Sequence, residues 1–208
     1  RAGLPRHRVE RSLLEVEGYV RDFAVDNPHV AVAMLRFSNV LGPELSTPIS
    51  RMLERPVVPA LFGFDPSFQF AHEDDVVRAI HFVLDRELAG VFNVAGDGLL
   101  PWSEVAAICG KRTVPMSPIG QDLVVGALKV FGVDVPPEVI RLLRYGRGID
   151  NRRLKEAGFE YSHTSAGAVQ AFIESARLRR TVGPGLAYRY DAEVEEFFRR
   201  SPAVVRRT

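Results

Sequence analysis

Apolar residues recur along the chain with two alternating kinds of spacing. Over residues 12–24, Leu13, Val16, Val20 and Phe23 fall at helical intervals and predict an amphipathic helix. Ser12 stands as its N-cap, with Glu15 three residues on to complete a capping box. Asn27-Pro28 closes it. Residues 30–37 (VAVAMLRF) are nearly continuously apolar, the signature of a strand buried on both faces within a parallel sheet. Residues 47–54 predict a short helix with Pro48 in its first turn, and residues 57–64 a short apolar strand. Asp65-Pro66 marks a turn over residues 63–67. Residues 68–71 lead into a strong helix over 73–85, with acids in its first turn and Val76, Ala79, Ile80 and Val83 as its buried face. Residues 90–95 (GVFNVA) predict a strand. A helix follows over 103–109, opened by Ser103 or Pro101 and stopped by Gly110. A strand at 112–116, helices at 121–130 and 136–143, and a short helix at 151–157 stopped by Gly158 come next. The last predicted element is a helix over 164–178, with Ala168, Ala171, Phe172 and Ser175 on its small-residue face.

Strands alternate with helices, so the fold class is α/β. The polar break at residues 38–43 falls just beyond the carboxyl end of the apolar strand, where ligands bind in open α/β sheets. The 208 residues are 46% hydrophobic and 25% charged, which argues against disorder or a repeat array for the bulk of the chain. The net charge of +1 gives no global field toward nucleic acid. Cys109, the single cysteine, can form neither an internal disulfide nor a thiolate cage; this fits a reducing, cytoplasmic compartment. Residues 57–64 are among the longest apolar runs at eight, against the roughly 18 a membrane span needs. Arg1-Ala2-Gly3-Leu4-Pro5 has no apolar signal core, and the absence of an initiator Met makes the chain read as a fragment. The last 32 residues, from Arg177, hold eight Arg against four acids and read as a solvated basic extension, with Phe197 and Phe198 as its docking candidates.

Four segments in order resemble one family, the extended short-chain dehydrogenase/reductases, NAD(P)-dependent epimerases and dehydratases acting largely on sugar nucleotides. Arg36-Phe37-Ser38-Asn39-Val40-Leu41-Gly42-Pro43 is similar to the family's R-x-x-N-V-Y-G-P segment, with Leu41 in place of the aromatic. Phe70-Ala71-His72-Glu73-Asp74-Asp75-Val76 resembles F-[IV]-H-V-D-D-V, and Phe92-Asn93-Val94-Ala95-Gly96 resembles [YF]-N-[VI]-G-G. Asp150-Asn151-Arg152-Arg153 with Ala157-Gly158-Phe159 is similar to the D-x-x-K…L-G-[WF] segment that closes the substrate domain. Two family features are missing. The chain has no G-x-x-G-x-x-G loop for a pyrophosphate, and none of its tyrosines has Lys four residues on. His7 with Arg11 is the nearest analogue of the Tyr-Lys pair: Arg could supply positive field and His could accept a proton.

The resemblance implies the C-terminal half of a Rossmann-like parallel sheet plus a small α/β substrate-binding domain. Residues 1–44 would be the last part of the dinucleotide-binding domain, 45–70 a substrate-domain segment and 71–98 a return to the Rossmann sheet. Residues 99–176 would be the substrate-binding domain and 177–208 the basic extension. NAD or NADP is the implied cofactor, with contacts from Phe37, Ser38 and Asn39. Asn39 would also face the substrate, although an Asn ahead of Gly42 reads equally as a turn former. Arg147 and Arg152 are candidates to hold a substrate phosphate, against the alternative of plain surface arginines. Arg36, set in an apolar strand, calls for an ion-pair partner, with Asp74 or Asp75 nearest in character. His72, Asp74 and Asp75 do not make a metal site, because adjacent helical residues point about 100° apart. Phe68 and Gln69 stand where the family often carries an Arg that holds a diphosphate, which tilts the pocket toward something more apolar. The expected partners are a small-molecule substrate and a second copy packed through the helix at 12–24, with neither nucleic acid nor a membrane span. A non-catalytic NAD(P)-binding or interaction module of the same fold is the alternative.

Overall fold

The computed structural model describes residues 8–117 and 142–182. The predicted helix at 121–130, most of that at 136–143, His7 and residues 183–208 lie outside the described residues; residues 142–145 form a helical turn. The chain divides into two compact units, Arg1–Ile173 and Glu174–Thr208. All elements belong to the first except the C-terminal turns of the last helix.

The order is α1 (Arg8–Asp26), β1 (Ala33–Phe37), β2 (Asn39–Leu41), α2 (Pro48–Leu53), β3 (Val57–Leu61), β4 (Ser67–Phe68), β5 (Phe70–His72), α3 (Glu73–Asp85), β6 (Gly90–Val94), β7 (Leu100–Pro101), α4 (Trp102–Ile108), β8 (Arg112–Met116), α5 (Arg152–Glu156) and α6 (Ser165–Val182). Three ladders are parallel. β1 runs with β6 from Ala33↔Gly90 to Phe37↔Val94, β2 with β5 from Asn39↔Phe70 to Leu41↔His72, and β3 with β8 from Val57↔Arg112 to Leu61↔Met116. The short β4–β7 pair is antiparallel. The fold is α/β with parallel strand pairs, and a helix connects the members of each long pair, as crossovers require.

Two apolar cores organise the first unit. One gathers Ala79 and Val83 of α3, Phe92 and Val94 of β6, Leu154 of α5 and Phe159, with Ala33, Leu35 and Phe37 of β1 packed against it. The other joins α2, β3, β8, α4 and the start of α6 around Phe68, Phe70, Trp102 and Phe172. Trp102 is buried with its indole N–H donating to the Pro59 carbonyl at 2.8 Å, so its polar edge is satisfied.

Five expectations are corrected. α1 begins before Ser12, which is therefore interior to the helix and caps nothing. The expected apolar face of α1 is largely in solvent, with Leu13 59% and Val16 60% exposed. Its more shielded line runs through Glu17, Val20 and Ala24, because Glu17 bonds Arg36 on β1. That pair is also the Arg36 correction: Arg36 Nε donates to Glu17 Oε1 at 2.8 Å, and neither Asp74 nor Asp75 is its partner. β1 is half-buried rather than buried on both faces, since Leu35 and Phe37 turn to the core while Arg36 turns to the opposite, exposed side. On α3, Val76, Ala79 and Val83 form the inward line; Ile80, one position off it, is 40% exposed.

Candidate functional site at the carboxyl ends of the parallel strands

At the end of β1 the chain changes partner. Ser38 N–H donates to the Val94 carbonyl at 3.0 Å, the last bond along β6; Asn39 N–H then donates to the Gln69 carbonyl at 3.4 Å and opens the β2–β5 ladder. β6 parts from β1 in the same way, with Gly96 N–H on the Phe70 carbonyl at 2.8 Å. The strand tips thus splay around β5. A Cβ on Gly96 would stand 2.9 Å from three backbone atoms, of Phe70, His163 and Ser165, so only glycine lets these segments meet.

Gln69 holds the site together. Its carbonyl accepts from both the backbone and the side-chain amide of Asn39, the latter at 3.0 Å. Its side-chain amide donates to the Gly96 carbonyl at 2.9 Å and accepts from Ile149 N–H at 2.9 Å. Its own N–H donates to the Arg147 carbonyl at 3.1 Å. Arg147 N–H in turn donates to the Ser67 carbonyl at 2.9 Å, and Gly146 beside it has φ +68°, with a Cβ position only 2.2 Å from that carbonyl. One buried residue therefore brings Asn39 and Arg147, more than 100 positions apart, into one neighbourhood. Ser38 is next to it, and its Oγ is buried without a hydrogen-bond partner. Asn39 spends one amide hydrogen on Gln69 and keeps its Oδ1 without a partner among the described residues.

The remaining candidates lie apart from this hub. The Phe37 ring packs on the α3–β6 core. Arg152 is 78% exposed at its side chain and is gripped by Asp150, whose carboxyl it holds down to about 2 through hydrogen bonds of 2.6 to 3.1 Å. Arg11 is exposed on α1. Asn93 donates to the Asp150 carbonyl at 2.7 Å, tying β6 to the residues just before α5. Phe68 is wholly buried against Trp102, with ring centroids 5.1 Å apart. Tyr161 is half-buried between Asn93 and Ala95, and burial pushes its phenol up to about 12, so it accepts no proton near neutrality.

Ser165 and His163 escape a reading of the sequence, and Gln69 enters it only as a replacement for an Arg; its linking role is hinted at by a polar residue in an apolar run, SFQFAH. Ser165 Oγ accepts from Phe70 N–H at 3.1 Å and donates to the Gly96 carbonyl at 3.2 Å, a role that pairs residues 69 positions apart. Among the described residues no group of three or more His, Cys, Asp or Glu side chains is placed to hold a metal ion.

The fold is similar to that of solved epimerase and dehydratase structures. A dTDP-glucose 4,6-dehydratase from Bacillus anthracis, solved in complex with NAD, superposes with a TM-score of 0.61 at 18% identity over 86% of this chain and 55% of its own. A UDP-glucuronic acid 4-epimerase from Bacillus cereus, also in complex with NAD, gives 0.62 at 12% identity over 88% and 55%. Among curated proteins the chain is 32% identical over 177 residues to uncharacterized proteins of Mycobacterium tuberculosis and Mycobacterium bovis, covering 82% of this chain and 46% of each relative. No family model matches. The chain spans about half the length of the proteins it resembles. No helix of the described residues is long and apolar enough to cross a membrane.

Proposed function

We propose that this chain is the C-terminal half of an NAD(P)-dependent epimerase/dehydratase-like protein of the extended short-chain dehydrogenase/reductase family. The observation that carries the reading is the Ser38–Asn39 tip: an orphaned buried hydroxyl and a half-satisfied carboxamide at the carboxyl end of a parallel strand. Those donors and acceptors fit the carboxamide edge of a nicotinamide. When bound, that cofactor supplies reversible hydride transfer with a substrate carbinol. The chain's own residues orient. Asn39 offers Oδ1 to a hydroxyl, Ser38 its Oγ, and Gln69 fixes Asn39 relative to Arg147, whose exposed guanidinium is the candidate for an anionic substrate group. The substrate class is a nucleotide sugar or a similar hydroxylated molecule, and a cytoplasmic homodimer is the proposed setting.

A second reading is a non-catalytic NAD(P)-binding or interaction module. It is favoured by the lack of any Tyr-x-x-x-Lys in this chain. Titrating NADH and NADPH into the full-length protein, followed by nicotinamide fluorescence, tests both. We expect saturable binding that Asn39→Ala and Ser38→Ala each weaken about tenfold, the loss of one hydrogen bond in a buried site. Binding without turnover of any nucleotide sugar selects the module. No binding of either dinucleotide overturns both readings.

A further inference from the structure

We propose that His72 and His163 form a proton-operated latch joining the first turn of α3 to residues 160–165. The two imidazoles stack with centroids 4.1 Å apart and planes 22° from parallel. His72 is buried at the N-cap of α3, where its Nδ1 accepts from Asp74 N–H at 3.2 Å. His163 lies just before α6, with a buried Nδ1 that has no hydrogen-bond partner and stands 3.4 Å from Asp75 Oδ2. Asp75 is fully buried and ties the two segments directly, accepting from Ser162 N–H at 2.8 Å and His163 N–H at 2.9 Å while Arg78 pairs with its Oδ1 at 2.8 Å.

The two rings differ in what their Nδ1 atoms face. That of His163 faces the buried Asp75 carboxylate. A proton on His72 occupies the atom that caps α3. The cap is lost, and positive charge arises against the stacked His163 ring and at the positive end of a helix. Asp74 Oδ2, 3.3 Å away on an exposed side chain, offsets this weakly. Burial first, then His163, hold the His72 imidazolium below the ordinary 6.5. The other charged groups around the pair are engaged elsewhere. Glu73 lies beside Glu44 N–H, Arg78 also reaches the Glu160 carbonyl, and Arg36 on β1 pairs with Glu17. Asp97, whose carbonyl receives Ser165 N–H, is taken by Lys155 and Asn151; β2 and β5 bring no titratable side chain besides His72.

A folded-state value below the unfolded one means that the latch stabilises the protein fully above about pH 6.5 and is lost as pH falls through the folded value. Opening would free residues 160–165 and with them Ser165, which holds Phe70 and Gly96 at the strand tips. The latch is independent of any bound ligand.

Histidine NMR titration and urea unfolding of the full chain between about pH 7.5 and about pH 5 test the proposal. We expect His72 to titrate below 6.5 and to move up toward that value in His163→Gln. We expect the wild type to lose more stability on acidification than His72→Asn, since Asn caps a helix without ionising. A His72 midpoint at or above 6.5, or one unmoved in His163→Gln, overturns the latch. So does a wild-type acid slope retained in His72→Asn. If His72→Asn fails to fold, the shift of His72 in His163→Gln decides.

Discussion

Gln69 shows how one side chain sets a site. Both ends of its carboxamide are used, the amide as donor to Gly96 and the oxygen as acceptor from Ile149 N–H. Gln69→Leu strands that half-buried N–H and should cost about 1 kcal/mol. Gln69→Glu is the more informative change. As a carboxylate it accepts from Ile149 but faces the Gly96 carbonyl oxygen with negative charge; protonated, it donates there as Gln does. Burial raises its folded pKa above the unfolded value, so the variant's deficit relative to wild type should be greatest near pH 7 and shrink as pH falls. Urea midpoints of the two proteins across that range check it, and a pH-independent deficit would contradict the donor role. The sequence pointed at Ser38 and Asn39 through motif order and at Arg147 as a phosphate-binding residue type, and marked Gln69 only as standing in place of an Arg, not as a hub. Its partners are spread over residues 39, 96, 147 and 149, and no local pattern encodes a hydrogen bond across such a span. Arg36 misled for the same reason: its need for an acid was legible, but the choice of Glu17 depends on where α1 lies over the strand.

At the scale of elements, the pattern located every helix and strand of five or more residues among the described residues and missed the shortest strands. α3 was legible end to end because acids, an apolar stripe and a following Gly-bounded strand all agree over residues 73–94. β2, β4 and β7 have two or three residues each, too few for an alternation to register, and are defined by their partners. α4 illustrates a tertiary cap. Pro101 at its N-cap has no side-chain acceptor, and Asp65, from the turn after β3, supplies one. Its carboxylate accepts from Ser103 N–H at 2.9 Å and from Ser103 Oγ at 2.6 Å. Asp65→Ala should cost about 0.5–2 kcal/mol, the usual range for a lost helix cap, while Asp65→Asn keeps an acceptor and should cost less. Thermal unfolding of the two variants distinguishes them. Equal losses would show that the carboxylate's charge, rather than its acceptor, is what α4 uses.

Over the whole molecule the most informative feature is the free side of β1. Ser38 N–H reaches the Val94 carbonyl and Gly90 N–H reaches the Val32 carbonyl, so even-numbered residues of this strand turn their backbone groups toward β6. Strand alternation then turns those of Ala33, Leu35 and Phe37 away from it. Among the described residues β1 has no second neighbour. The curated relatives and the solved structures of similar fold are about twice as long, and an unpaired parallel strand in the middle of an apolar run is a poor edge. If the longer protein supplies a further strand there, the amides of Leu35 and Phe37 gain partners while those of Met34 and Arg36 are bonded in both cases. Native-state hydrogen exchange should therefore find Leu35 and Phe37 fast in this chain alone and strongly protected in the full-length protein, with Met34 and Arg36 changing much less. Uniform protection of all four in the isolated chain would mean that something within residues 1–208 already covers this edge, and the half-domain reading would have to be abandoned.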